Sequence, residues 1–91
     1  MMFFLIVYEL RNREKNYSTF YDSIKNLGSE ACQCMTNVWL IYTDKEGMDL
    51  YNKLKPLIED TDSILIAKTQ YSDLAGWISS EAIDFLKRHT K

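Results

Sequence analysis

The residues best suited to chemistry in this 91-residue chain sit together near its start. Glu9 closes an apolar run, "FFLIVY" (Phe3 to Tyr8), and Arg11, Arg13 and Lys15 alternate just after it. A carboxylate at the mouth of a strand can hold Mg²⁺, which takes one or two carboxylates and keeps several waters. A metal there would polarise a phosphoryl oxygen and generate hydroxide. The three cations would grip phosphates, as positively charged loops commonly do. Tyr8 would orient a phosphate or a base. On this reading Glu9 is the metal ligand and, with Tyr8, a candidate catalytic residue. The plainer reading is that Glu9 marks where a buried strand meets water and that the cations belong to a solvated loop.

Other chemistry-bearing residues are sparse. Cys32 and Cys34 would share one face of a strand. Their spacing on an extended chain makes a mutual disulfide geometrically poor. His89 is the single histidine, too few ligands for a four-coordinate zinc site. Free thiols acting as small hydrophobes in a cytoplasmic protein are therefore expected. Lys87, Arg88, His89 and Lys91 crowd the C-terminal end, where cations suit the end of a helix. Trp39, Tyr42, Tyr71 and Trp77 would offer large amphipathic surfaces where exposed. Trp77, beside Gly76 in a loop, is the expected anchor for a partner, with Tyr71 close by in sequence.

Composition narrows the class. Apolar residues make up 46% and charged residues 26%, an ordinary globular balance, and the net charge is −2. A strongly basic surplus, the usual pointer to nucleic acid, is missing. The apolar run from Met1 to Tyr8 falls well short of the about 20 residues that span a membrane. It also lacks the basic and small-residue flanks of a signal peptide, so it is expected to be a strand.

The elements that must position these residues follow from periodicity. Phe3 to Tyr8 is unbroken, which suits a strand buried on both faces. Tyr17, Phe20, Ile24 and Leu27 recur at helical spacing, with Asn16 expected as N-cap and Gly28 as a left-handed C-cap. Glu30–Met35 and Val38–Thr43 read as a hairpin across Thr36-Asn37. Thr43 and Glu46 form an expected capping box ahead of a stripe of Leu50, Tyr51, Leu54, Leu57 and Ile58. Pro56 should bend or shorten that helix. Asp44 is then part of a helix start rather than a ligand. Ser63 to Thr69, with "ILIA" at its heart, reads as a second buried strand. After a loop from Gln70 to Trp77, Ser79 should cap a final helix that turns Ala82, Ile83, Phe85 and Leu86 inward, with Ile78 and Ile83 placed as a hydrophobic staple. The order β-α-β-β-α-β plus a helix predicts one α+β domain over residues 1–91, a ferredoxin-like sandwich with an extra C-terminal helix. An apolar final strand at the sheet edge would need cover, and a homodimer is the expected way to provide it.

"FLIVYEL", "KNY", "LG", "VWLIYTD", "LKPLIEDTDSILIAK" and "GWISSEAIDFLK" together resemble the SinR-like proteins, short bacterial and phage proteins related to the VapD toxins. More distantly the pattern is similar to the small CRISPR-associated endonuclease that partners the integrase. The resemblance implies a ferredoxin-like sandwich, dimeric through its sheets. In the nuclease relatives an aspartate follows a tyrosine at the end of the first strand, and one such aspartate per subunit approaches a metal. Here Tyr8 matches, but Glu9 stands at the aspartate position, and its extra methylene displaces the carboxylate at a site where magnesium tolerates little misplacement.

Three functions remain in view. The first is a non-catalytic dimeric module binding a protein partner. The second is a Mg²⁺-dependent endoribonuclease or endonuclease with Glu9 at the dimer axis. The third is binding of a small anionic ligand such as a nucleotide between subunits, although no Gly-rich phosphate loop is present.

Overall fold

A computed structural model describes residues 1–28 and 30–90 of the chain. Lys91, grouped above with the C-terminal cations, lies outside the described residues. The elements are β1 (Met2–Glu9), α1 (Ser18–Lys25), β2 (Glu30–Met35), β3 (Val38–Thr43), α2 (Gly47–Leu54), β4 (Ser63–Thr69) and α3 (Ser80–Arg88). Short 3₁₀ turns follow α2 at Lys55–Leu57 and β4 at Tyr71–Asp73. The fold is α+β. Its four strands form one antiparallel sheet in the order β2-β3-β1-β4.

Successive strand residues point to opposite faces, and β1 is apolar on both because both faces are covered. Phe4, Ile6 and Tyr8 join Trp39 and Ile41 of β3 under α1 and α2, whose Phe20, Ile24, Leu50 and Leu54 complete the larger core. Phe3 joins Cys32, Leu40 and the Ala82, Phe85 and Leu86 face of α3 on the other side. Ser79 caps α3, its hydroxyl accepting from the Ala82 backbone N–H at 3.2 Å. Pro56 cannot supply the next helical N–H, and α2 tightens into the 3₁₀ turn that contains it.

Several expectations are corrected. Asn16 does not cap α1. Tyr17 holds that position, and the Asn16 side chain instead accepts from the Ser18 N–H at 2.9 Å. Gly28 is not a left-handed cap, because no glycine has positive φ. It is small because the β3 backbone passes against it: a Cβ there would lie 2.7 Å from the Tyr42 carbonyl oxygen and 2.7 Å from Thr43 Cβ. The capping box of α2 is formed by Glu46 and Asp49, not Thr43 and Glu46. Thr43 is buried against the core, and its hydroxyl accepts from the Lys45 N–H instead.

β4 is not buried on both faces. Ile64 and Ile66 are half-buried toward α1 and α2, whereas Leu65 and Ala67, on the opposite face, are exposed. The cause is the placement of α3. It packs over Phe3, Cys32 and Leu40, the β2 side of the second face, and leaves the β4 side uncovered.

Candidate functional site

The residues singled out by chemistry fall at two places. The first is the corner where β1 ends and β4 begins, with Glu9 opposite Ser63 in the ladder. Glu9 is exposed and forms an ion pair with Arg11. The Arg11 guanidinium also donates to the Thr61 carbonyl and to Ser63 Oγ, the latter at 3.1 Å. Lys15 donates from Nζ to the Leu57 carbonyl at 3.2 Å and lies 5.1 Å over the Tyr17 ring. Two of the three expected phosphate-gripping cations are thus held by the facing 57–63 segment, while Arg13 stands exposed.

Tyr8 does not share this corner. Strand alternation turns it to the face opposite Glu9, where it is buried edge-on to Phe20. Its hydroxyl accepts from Trp39 Nε1 at 3.1 Å and donates to the Thr36 carbonyl at 3.3 Å. Burial, the larger influence, raises its pKa further above the ordinary phenol value. The ring and hydroxyl pin β1 to the β2–β3 hairpin. Among the described residues no group of three or more His, Cys, Asp or Glu side chains is placed to hold a metal ion. One copy offers Mg²⁺ a single carboxylate at Glu9, and that carboxylate is already paired with the Arg11 guanidinium, which a cation would have to displace.

The organiser of the corner is Asp62, in the short polar stretch just before β4, where nothing in its sequence context singles it out. Its carboxylate accepts from the backbone N–H of Arg11 at 2.8 Å and of Glu59 at 2.9 Å, and from the Tyr17 hydroxyl at 2.9 Å. Partial burial alone would raise its pKa. The Arg11 and Glu59 N–H groups, then the Tyr17 hydroxyl and the Lys15 charge, outweigh that and hold it below the ordinary carboxylate value. A carboxyl depressed in the folded state stabilises above its unfolded pKa, and that contribution is lost as pH falls. Asp62→Asn places an amide N–H₂ against donors. It is expected to cost about 1.5 kcal/mol near pH 7. In chemical denaturation the gap from wild type should close as pH drops below about 4. A gap constant from pH 7 to pH 3 would show that the charge contributes nothing.

The second place is a groove of about 650 Å³ on the second sheet face, between the sheet, the 71–78 loop and α3. Leu5, Leu40 and Leu86 line it with Met35, Leu74 and Ile78. A register shift between Gln33 and Met35 lets both Cys34 and Met35 reach it, which strict alternation would forbid. Tyr71 and Trp77 stand on its loop side, Tyr71 partly exposed and Trp77 98% exposed. Lys87 is the one charged side chain among the lining residues. Leu65, 68% exposed, extends the apolar surface along β4: Leu65 and Ala67 pair with Val7 and Leu5, and Leu5 already lines the groove. The unbroken "ILIA" run of β4 gives no sign of this surface, and both it and the groove depend on where α3 and the loop come to rest.

The C-terminal cations do more than solvate a helix end. Glu30 of β2 pairs with Arg88 and meets His89 Nε2 at 2.9 Å, and the His89 ring stacks on Tyr42 at 3.9 Å. This ties the end of α3 to the sheet. Both cysteines are free, and burial, the main cause in each, raises their thiol pKa values. Among the described residues no helix is long and apolar enough to cross a membrane. Compared with known proteins, the chain matches no family model, no curated sequence and no solved structure.

Proposed function

We propose that the chain is a small ferredoxin-like interaction module of SinR or VapD type that works as a homodimer and binds through its second sheet face rather than by catalysis. The strand order β2-β3-β1-β4, with helices between β1 and β2 and between β3 and β4, supports the ferredoxin-like assignment. The observation that carries the functional reading is the half-covered second face, where Leu65, Met35 and Trp77 are exposed side chains around one apolar groove. Large exposed apolar patches on small folded chains mark interaction sites. The unpaired thiols suit a reducing, cytoplasmic setting.

Sedimentation over a concentration series tests this. A dimer is expected for the wild type, and Leu65→Lys, which puts a charge on the face without touching the core, is expected to shift it toward monomer. A wild-type monomer at every concentration would overturn the reading. The competing reading, a magnesium-dependent nuclease, draws on the exposure of Glu9 at its strand end. RNA or DNA cleavage that requires Mg²⁺ and disappears in Glu9→Ala would replace the module with that enzyme.

A further inference from the structure

The most exposed large apolar side chain of the chain's described residues stands beside its apolar groove. Trp77 contributes to the groove's rim yet is 98% exposed, so its indole does not fill the space it borders. The two residues before it, Ala75 and Gly76, are small and exposed, and Gly76 has nothing within 4 Å of where a Cβ would stand. The tip of the loop can therefore come close to another surface. A knob and a hole on one patch are what a two-fold contact needs, since each copy presents the same surface to the other.

We infer that two copies of this chain exchange Trp77, the indole of each entering the Leu5–Leu40–Leu86 groove of the other across a two-fold axis. This rests on the proposed self-association and names the contact that drives it. The charges allow it. Lys87 on α3 is the one charged lining residue, and Asp73 is the one charged residue of the 70–78 segment that bears the knob. A two-fold contact through this patch sets the acid-bearing loop of one copy toward the cation-bearing helix of the other. The apolar surface also continues from the groove along Ala67 and Leu65, so the exchange sits inside a wider contact. Buried tryptophans inserted in well-packed pockets dominate the energetics of such interfaces.

The test uses knob-less and hole-blocked variants of the full chain. Trp77→Ala removes the knob and keeps the groove. Ser72→Arg, at an exposed lining position, blocks the groove and keeps the knob. Cys34→Phe fills the same groove from the sheet and serves as a second blocked variant should Ser72→Arg not fold, which circular dichroism reads directly. Each variant alone is expected to dimerise at least about thirtyfold more weakly than wild type, the effect of losing a tryptophan hot spot. Mixed one to one, Trp77→Ala and the blocked variant should recover dimer as a heterodimer, seen by native mass spectrometry, because that pair alone keeps one knob and one open hole together. A wild-type dimer that Trp77→Ala leaves equally tight would overturn the exchange while self-association stands. Weak variants that gain nothing on mixing would place Trp77 somewhere other than the partner's groove and also overturn it. A wild type that never dimerises would remove the proposed function along with this contact.

Discussion

Phe20→Ala is expected to destabilise the fold by about 3–5 kcal/mol, the usual cost of emptying a fully buried aromatic site. Phe20 is completely buried on α1, edge-on to Tyr8 at 5.1 Å. The ring therefore supports the same tyrosine that fixes β1 to the β2–β3 hairpin through Trp39 and Thr36. Removing it leaves a cavity lined by side chains of a strand and a helix that cannot both collapse inward. Small domains hold about 5–15 kcal/mol in total, so the variant should sit near its unfolding midpoint at modest denaturant. Urea titration followed by circular dichroism measures this. A loss under about 1 kcal/mol would mean that α1 does not pack on the sheet as described.

Gly28→Val should cost about 3 kcal/mol, at the upper end of overpacking effects. The reason is contact, not conformation. Gly28 has ordinary φ, but a Cβ would stand 2.7 Å from both the Tyr42 carbonyl oxygen and Thr43 Cβ and 3.1 Å from Ile41 Cγ2. The first of these is backbone and the second is buried, so β3 itself has to move. A flexible glycine in open space would behave oppositely, since adding a side chain there stiffens the unfolded chain and stabilises by about 0.4–1 kcal/mol. Thermal melts of Gly28→Val and of Gly76→Ala, where a Cβ meets nothing, should therefore move in opposite directions. Equal shifts would remove the close approach from the explanation.

What could be read from the chain was what short-range physics decides. The stripe of Phe20 and Ile24, the hairpin across Thr36-Asn37, the Ser79 cap and the interruption at Pro56 each depend on residues within about one or two helical turns. The misreadings share the opposite property. Gly28 and Thr43 looked like caps for their own helices, but they face each other across the layer between α1 and β3, 15 positions apart in sequence. Asp62 looked like one more polar loop residue, but its partners include Arg11 and Tyr17, which only the antiparallel pairing of β1 with β4 brings near. The exposure of Trp77 was foreseeable from its place after Gly76. The groove beside it was not, because it needs a strand irregularity at Gln33–Met35, the 71–78 loop and α3 all to meet. Tyr8 and Glu9 show the limit of adjacency as a guide: neighbours along a strand look away from one another.

The contrast between the two tryptophans carries one more consequence. Trp39 is buried with its indole N–H bonded to Tyr8, whereas Trp77 is bare. The emission of the chain is therefore the sum of a shielded fluorophore and a wetted one. A soluble quencher such as iodide should reach only the second in a single copy and neither in the exchanged dimer, while the emission of Trp39 should track unfolding alone. One native spectrum thus reports separately on the integrity of the sheet and on whatever shelters the loop.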